Sequence, residues 1–224
     1  MKRLSVVVPV LNEAAGIQTT LRALAPLRAR GHEVIVVDGG SSDETLLRAA
    51  ADADLVITAA RGRALQMNAG AARARGEVLL FLHADTLLPD GADRCVQRAL
   101  AAGPRWGRFD VRIAGSSLWF GVIARLMNLR SRLTGIATGD QAIFVERALF
   151  EQLGGYTEVP LMEDIDLSRR LRALGAPACL RQAVLTSGRR WETRGVWRTV
   201  FLMWSLRWRY WRGEEPESLA RAYR

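Results

Sequence analysis

Cysteine is scarce in this chain of 224 residues, which contains only Cys95 and Cys179. The two lie far apart and neither belongs to a C-x-x-C pair, so a cysteine-based metal site is not expected. The N-terminal apolar run is short and is followed by an acid, which indicates a first strand rather than an export signal. We therefore expect reduced thiols in a cytoplasmic protein.

Long hydrophobic runs are also missing. No stretch of about 18 consecutive apolar residues occurs, so no membrane-spanning helix is expected. Hydrophobic residues make up 49% of the chain and charged residues 25%, as in an ordinary globular protein. A chain of this length suits one α/β domain with a large core, or at most two small ones.

Lysine is almost absent, because Lys2 is the only lysine among 32 basic residues. The net charge of +9 could indicate a nucleic-acid partner. However, ten arginines oppose four glutamates between Arg181 and Arg224, so this tail holds +6 of that charge. We expect no nucleic-acid partner, since a phosphate-bearing small ligand or an anionic membrane surface fits this distribution at least as well.

Short apolar runs alternate with segments rich in Ala, Leu and Arg through the first half. Such runs suit strands that are covered on both faces, and the alternation predicts a doubly wound parallel sheet. Ser41, with Glu44 three residues later, indicates a capping box. The predicted strands are 4–10, 33–38, 54–58 and 77–85, and the predicted helices are 13–30, 43–51 and 63–75.

The second half is less regular. It contains no repeats or low-complexity linkers, so we expect it to extend the first sheet within one domain. The predicted strands are 107–113 and 140–145, and the predicted helices are 117–133 and 163–175.

Polar residues follow three of the predicted strands. Asn12 and Glu13 follow the first, Asp38 ends the second, and His83 and Asp85 end the fourth. Because ligands bind outside the carboxyl ends of parallel strands, this edge is a candidate site. A single carboxylate there could be only a turn residue or a helix cap, but acids at three neighbouring strand ends favour a site.

Four segments together resemble family 2 glycosyltransferases with the GT-A fold: "SVVVPVLNE", "VIVVDGGSSDET", "GRALQMNAGAARARGEVLLFLHAD" and "MEDIDLSRRL". The "RGRALQMNAGA" and "HAD" variants are most similar to a small bacterial subfamily labelled arsenosugar-biosynthesis glycosyltransferases. The resemblance implies an α/β protein whose residues 1–191 form a GT-A (Rossmann-like), mostly parallel sheet flanked by helices.

The resemblance also implies a nucleotide pocket. Asp38 would accept hydrogen bonds from the base or ribose, Arg61 or Arg63 would face the diphosphate, and Gln66 would serve the base. The full set of implied nucleotide-binding residues is Pro9, Asn12, Glu13, Asp38, Arg61, Arg63, Gln66, His83, Ala84 and Asp85.

The "HAD" segment stands in the place of the family's DxD motif. Its Asp85 would hold Mg²⁺ or Mn²⁺ against the donor diphosphate, since such cations take one or two carboxylates together with phosphate oxygens. His83 departs from the family, which more often has an acid there. It would contact phosphate or ribose, join the metal shell, or serve a structural purpose.

The "MEDIDLSRRL" segment carries the implied chemistry. Asp164 would be the catalytic base and Glu163 would orient it or touch the acceptor, whereas Asp166 is expected to be structural. A helix N-terminus stabilises acids in any case, which alone could explain one or two of them. Asp140, Arg190 and Trp191 would contact the donor or acceptor sugar; "SGRRW" resembles the family's QxxRW signature, but has Ser187 in place of Gln.

Residues 192–224 form a basic, aromatic tail that is predicted to be helical. Its large aromatic residues recur at spacings of four and three, which predicts one stripe along a helix. We consider three partners for this tail: the domain itself, a second copy in a homodimer, or the inner face of a membrane. The stripe consists of Trp197, Phe201, Trp204, Trp208 and Trp211.

The resemblance implies a metal-dependent, inverting glycosyltransferase that uses a nucleotide-diphosphate sugar, most simply a UDP-sugar, and an unknown acceptor hydroxyl. One alternative is a polyprenyl-phosphate glycosyltransferase at the membrane surface. Another is a degenerate GT-A module that binds nucleotide without turnover. A nucleotidyltransferase or a dinucleotide-dependent dehydrogenase fits less well, because neither glycine-rich signature follows the first strand.

Overall fold

The computed structural model describes residues 2–223. Its centre is an eight-stranded sheet with the strand order β3-β2-β1-β4-β7-β6-β8-β5. The strands are β1 Leu4–Val10, β2 Glu33–Asp38, β3 Leu55–Thr58, β4 Val78–Phe81, β5 Thr86–Leu87, β6 Trp106–Ala114, β7 Phe144–Glu146 and β8 Ala178–Ser187.

Helices cover both faces of this sheet. A short 3₁₀ helix, Gly139–Gln141, precedes β7. The helices are α1 Ile17–Ala23, α2 Ala25–Ala29, α3 Thr45–Ala50, α4 Arg63–Arg73, α5 Ala92–Ala101, α6 Trp119–Thr134, α7 Arg147–Gln152, α8 Glu163–Leu174, α9 Arg189–Arg194, α10 Val196–Trp211 and α11 Pro216–Tyr223. Within residues 2–223, none of them combines the length and the apolar character needed to cross a bilayer.

The first half of the sheet is parallel, as the sequence predicted. β1 pairs in parallel with β2 and with β4, and β2 pairs in parallel with β3. Alternate residues of β1 enter different cores: Val6 and Val8 pack in one apolar cluster and Val7 packs in the other. This burial on both faces explains the continuous apolar runs.

The second half adds antiparallel pairs. β7 lies antiparallel between β4 and β6, whereas β8 runs parallel to β6 and antiparallel to the short β5. The sheet is therefore mixed but mostly parallel, and the predicted α/β class is confirmed.

Several predicted boundaries are wrong. The first helical segment breaks at Leu24, where α2 begins with a proline in its first turn. The strand predicted for 77–85 ends at Phe81, and residues 139–141 are a 3₁₀ helix instead of the start of a strand. The capping box of Ser41 does not form, because α3 begins at Thr45 and the Ser41 hydroxyl donates to Asp38.

The C-terminal helices pack beside the start of α8. Leu206 of α10 and Leu219 of α11 are fully buried in a small cluster with Met162 and Ile165. The tail stripe faces the opposite way, since its five aromatic side chains are 52% to 81% exposed. Within the described chain, the stripe therefore does not cover the sheet.

Candidate active site

The polar strand ends come together at one edge of the sheet. Because β1, β2 and β4 are parallel and adjacent, Asn12, Asp38 and Asp85 follow the same edge. Pro9 is the next-to-last residue of β1 and is paired with Val37 of β2. The juxtaposition predicted from the sequence is confirmed.

Asp38 is hydrogen-bonded within its own loop. Its side chain is 1% exposed, and one oxygen accepts hydrogen bonds from the backbone N–H groups of Gly40 and Ser41, both at 2.9 Å. The other oxygen accepts from the Ser41 hydroxyl. The carboxylate thus fixes the loop after β2, and its contact with a base or ribose stays a prediction.

Gln66 is also used internally. It is 4% exposed and donates from Nε2 to the carbonyls of Val10 and Val37, each at 2.8 Å. These carbonyls belong to β1 and β2, so the carboxamide ties the ends of the two strands together. A Cβ on Gly39 would lie 2.9 Å from Gln66 Oε1, which explains the glycine there. The predicted contact of Gln66 with a base is therefore not supported.

Asn12 and Glu13 organise the loop that follows β1. Asn12 has a positive φ of 55°, and its side-chain oxygen accepts from the backbone N–H of Ser42 at 2.8 Å. Glu13 lies 3.4 Å from Arg189 Nη2. This ion pair joins the end of β1 to α9, which follows β8.

The segment His83–Asp85 begins two residues after β4. Ala84 is 6% exposed and its carbonyl accepts from the Thr20 hydroxyl at 2.6 Å, so the backbone here is fixed. The backbone carbonyl of Asp85 accepts from the N–H of Ser187. Its carboxylate is half-buried and makes no hydrogen bond or ion pair within residues 2–223.

The chemistry of this edge fits a cation that is shared with a phosphate ligand. In the described part of the chain no group of three His, Cys, Asp or Glu side chains could enclose a metal. Asp85 offers one free carboxylate, and Mg²⁺ or Mn²⁺ typically combines one or two carboxylates with phosphate oxygens and water. Asp85 is thus the candidate protein ligand.

His83 pairs with Asp140. The distance from His83 Nδ1 to Asp140 Oδ1 is 3.2 Å. The other ring nitrogen lies against Gly139, where a Cβ would be 2.4 Å from Nε2. Desolvation works against ionisation of Asp140, but the hydrogen bond and charge of His83 lower its pKa overall. Nδ1 is therefore paired with Asp140, and the ring packs so closely on Gly139 that it positions the Gly139–Asp140 turn.

Glu163 and Asp164 open α8 at the same place. Asp164 is half-buried, and its Oδ2 accepts from the backbone N–H of Gly139 at 2.8 Å. Glu163 is 4% exposed and lies 3.8 Å from Arg63 Nη1. Burial raises the pKa of Glu163, and the negative charge of Asp164 raises it further. Of the two, Asp164 is the carboxylate open to a ligand.

Asp166, expected to be structural, binds Thr157 and Arg170.

Arginines surround these acids. Arg63 is the first residue of α4 and is about half exposed, and Arg61 precedes it on the surface. Arg190 lies over the ring of Tyr223 at 4.3 Å, and burial and Arg63 lower its pKa while Asp140 and Asp85 oppose that shift. The positive charge of Arg190 therefore interacts with the carboxylates of Asp140 and Asp85. Trp191, next to it on α9, is half exposed.

Two further arginines were not predicted from the sequence. The Nε and Nη2 atoms of Arg130, on α6, are buried and have no hydrogen-bond partner in the described structure. Burial and the nearby Arg207 lower the pKa of Arg130 to about 10, while Asp164 and Asp140 raise it. Burial also lowers the pKa of Arg207, on α10, and the charge of Asp164 opposes this shift. An arginine on a predicted helix usually faces solvent, so the sequence offered little reason to select these two. The one available signal was that neither helix contains an Asp or Glu, which favours an anionic ligand.

Comparison with known proteins gives the family. The model described as "Glycosyl transferase family 2" matches residues 5–149, which is more than half of the chain. The chain belongs to glycosyl transferase family 2. This family 2 chain is 28% identical to the probable glycosyltransferase YdaM of Bacillus subtilis (strain 168), over 96% of its own length. It spans only 56% of YdaM.

Solved structures give the fold of this family 2 chain, which is GT-A. The mannosyltransferase PcManGT from Pyrobaculum calidifontis, in complex with GDP-Man and Mn²⁺, superposes with a TM-score of 0.62 at 24% identity, over 82% of this chain and 56% of that one. TarS 1–349 of S. aureus, in complex with UDP-GlcNAc, gives 0.66 at 17% identity, over 83% and 58%. The arsenosugar label appears on none of these three proteins and stays a prediction.

Proposed function

We propose that this protein is a glycosyltransferase that moves a sugar from a nucleotide-diphosphate donor, a UDP-sugar, to an acceptor hydroxyl. The observation that carries the proposal is that two acids in different environments, Asp85 and Asp164, lie near one edge of the sheet. Asp85 offers a carboxylate that has no partner within residues 2–223 and interacts electrostatically with Arg190, and Asp164 is held by Gly139 next to the His83–Asp140 pair. One acid suits a cation and the other suits proton transfer.

The donor proposal rests on charge and on likeness. Arg190 carries positive charge near Asp85, where a diphosphate and its cation would lie, and Arg63 lies near Arg190. The solved structures that this chain resembles include complexes with GDP-Man and with UDP-GlcNAc. We choose a UDP-sugar as the hypothesis to test first. Asp140 and Trp191 would then contact the donor or acceptor sugar.

Three residues would divide the work of transfer. Asp85 would hold Mg²⁺ or Mn²⁺, which supplies positive charge for the departing diphosphate. Asp164 would take the proton from the acceptor hydroxyl as the oxygen attacks the anomeric carbon. Glu163, buried behind it and facing Arg63, would maintain the position of the α8 N-terminus. Inversion at the anomeric carbon follows from direct attack and is implied by the family.

Release of nucleoside diphosphate tests the proposal. We would incubate the protein with a panel of UDP- and GDP-sugars and Mn²⁺, and measure binding by calorimetry and release by chromatography. Slow hydrolysis of the donor by water stands in for transfer while the acceptor is unknown. Binding of a nucleotide-sugar without any release under all conditions would favour the degenerate GT-A module.

The polyprenyl-phosphate alternative is favoured by one specific observation. Two buried nitrogen atoms of Arg130 have no partner in the described part of the chain, and Arg130 and Arg207 both interact electrostatically with Asp164. A phosphate acceptor would satisfy these donors. Its oxygen is already ionised near neutral pH, so transfer to it needs no base. In that case Arg130→Met would abolish transfer while Asp164→Asn would leave most of it, which is the reverse of the expectation for a hydroxyl acceptor.

A further inference from the structure

Most of the exposed apolar side chains of this molecule lie on two helices. The described chain has fourteen large hydrophobic residues that are more than about a third exposed, and eleven of them belong to α6, its preceding residue, or α10. A patch of this kind on a water-soluble protein marks an interaction surface. The eleven are Leu118, Trp119, Val122, Leu126, Leu129, Leu133, Trp197, Phe201, Trp204, Trp208 and Trp211.

The spacing places these residues on one face of each helix. On α6, the exposed residues from Trp119 to Leu133 follow one another at steps of three, four, three and four. On α10, those from Trp197 to Trp211 follow at four, three, four and three. Each series is a continuous stripe along its helix.

The two stripes are joined. The rings of Trp119 and Trp197 meet at 4.8 Å between centroids, with an angle of 65° between their planes. The opposite faces of both helices pack inward, through Phe120 and Ala124 on α6 and through Leu206 on α10. The two exposed stripes, which meet at the N-terminal ends of α6 and α10 and are not used by the core, are called the two-helix face.

The charge around the two-helix face is positive. α6 and α10 contain no Asp or Glu, although four of their six arginines lie near the candidate site or pair with acids elsewhere in the chain. Arg125 and Arg198 are exposed on these helices, and Arg212, just after α10, lies over the ring of Trp208 at 5.0 Å. Arginine and tryptophan together are typical of the layer between lipid headgroups and acyl chains.

We propose that the two-helix face is a docking surface for an anionic lipid bilayer. Charge complementarity selects this occupant, because anionic headgroups would neutralise the exposed arginines near the surface. A second copy of the chain would instead bring two positive faces together. The inference goes beyond the proposed transfer reaction and does not depend on it.

Vesicle sedimentation tests this inference with the full chain. We expect the protein to sediment with vesicles of phosphatidylcholine and phosphatidylglycerol, to sediment much less with phosphatidylcholine alone, and to be released by high salt. Trp204→Glu with Trp208→Glu should weaken binding at least about tenfold, which corresponds to 1.4 kcal/mol. Leu126→Glu with Leu129→Glu, on the other helix, should weaken it as well.

The control places the same substitution on exposed leucines elsewhere. Leu47 and Leu174 are 74% and 53% exposed but lie on α3 and α8. Leu47→Glu with Leu174→Glu should bind vesicles like the wild type, and circular dichroism confirms that every variant is folded. If the wild type ignores anionic vesicles, or forms a dimer that only the Trp204 and Trp208 variant dissociates, the membrane surface is refuted. If the α6 variant binds like the wild type, the surface does not include α6 and the two-helix face is refuted.

Discussion

Two adjacent acids, Glu163 and Asp164, occupy different environments although the sequence gives them the same helix start. Glu163 is buried behind Arg63, whereas Asp164 is half-buried and is held at 2.8 Å by the Gly139 N–H. The backbone donor keeps Asp164 oriented toward the His83–Asp140 pair. The geometry therefore favours Asp164 as the base, in agreement with the role that the family resemblance implies.

Asp164→Asn tests this assignment. The amide keeps the size of the side chain but cannot accept a proton, and general-base assistance is typically worth roughly 10²- to 10⁴-fold in rate. We expect transfer, or donor hydrolysis in its place, to fall by about 10²-fold or more while nucleotide binding stays near the wild-type level. Asp166→Asn is the matched control, because Asp166 is bound to Thr157 and Arg170. If Glu163→Gln is inactive and Asp164→Asn is not, the base is Glu163.

Glu163 should make stability depend on pH. Burial raises its pKa, and the charge of Asp164 raises it further, so the folded protein binds this proton more tightly than the unfolded chain. Ionisation of Glu163 then destabilises the fold progressively as pH rises above its ordinary value of 4.5. The free energy of unfolding of Glu163→Gln, relative to wild type, should therefore increase between mildly acidic and neutral pH. Glu158→Gln, at an exposed site, should show no such trend in urea titrations.

At the scale of elements, the parallel strands and their polar ends could be predicted because apolar runs report burial on both faces. The partners of individual polar groups could not. Asp38 and Gln66 satisfy backbone groups of their own loop and strands, which depends on how β1 and β2 approach each other. The "DGGS" turn was a signal for Asp38, since Asp often binds nearby backbone N–H groups in turns. The apolar pattern of α6 predicted a helix but could not show that one stripe stays exposed.

Gln66→Leu should be costly to the sheet. The substitution removes one buried hydrogen bond from each of the Val10 and Val37 carbonyls, although the Val10 carbonyl still accepts from the Gly39 N–H. A buried group left without a partner costs roughly 1–3 kcal/mol. We expect a loss of free energy of unfolding in this range, measured by urea titration. Gln152→Leu, at an exposed position of α7, should stay within about 0.5 kcal/mol of wild type. Should Gln66→Leu keep full stability and lose only nucleotide affinity, the role in base binding predicted from the sequence would be right.

At the scale of the whole molecule, the sheet brings residues from distant parts of the chain to one edge. Asp85 follows β4, Asp164 lies in the first turn of α8 and Arg190 follows β8, and Arg190 lies within electrostatic reach of Asp85. Acids and arginines thus lie together at the proposed site. Asp85 is unpaired in the described chain, while Asp140, Glu163 and Glu13 each have a partner. This distribution suits a ligand that brings its own negative charge together with a cation.

The rise in Tm on ligand binding should therefore require the cation and the nucleotide together. A ligand that binds only the folded state at about 100 times its Kd adds about 2.7 kcal/mol, which corresponds to several degrees in Tm for a chain of this size. We expect UDP with Mn²⁺ to raise Tm by this amount, and either EDTA or Asp85→Ala to remove most of the shift. The unliganded Tm of Asp85→Ala should change little, because its carboxylate has no partner within residues 2–223. Asp90→Ala, at an exposed turn just beyond β5, should respond to UDP and Mn²⁺ like the wild type. An equal shift with UDP in EDTA would show that Asp85 does not hold a cation for the nucleotide, and that the arginines alone bind the diphosphate.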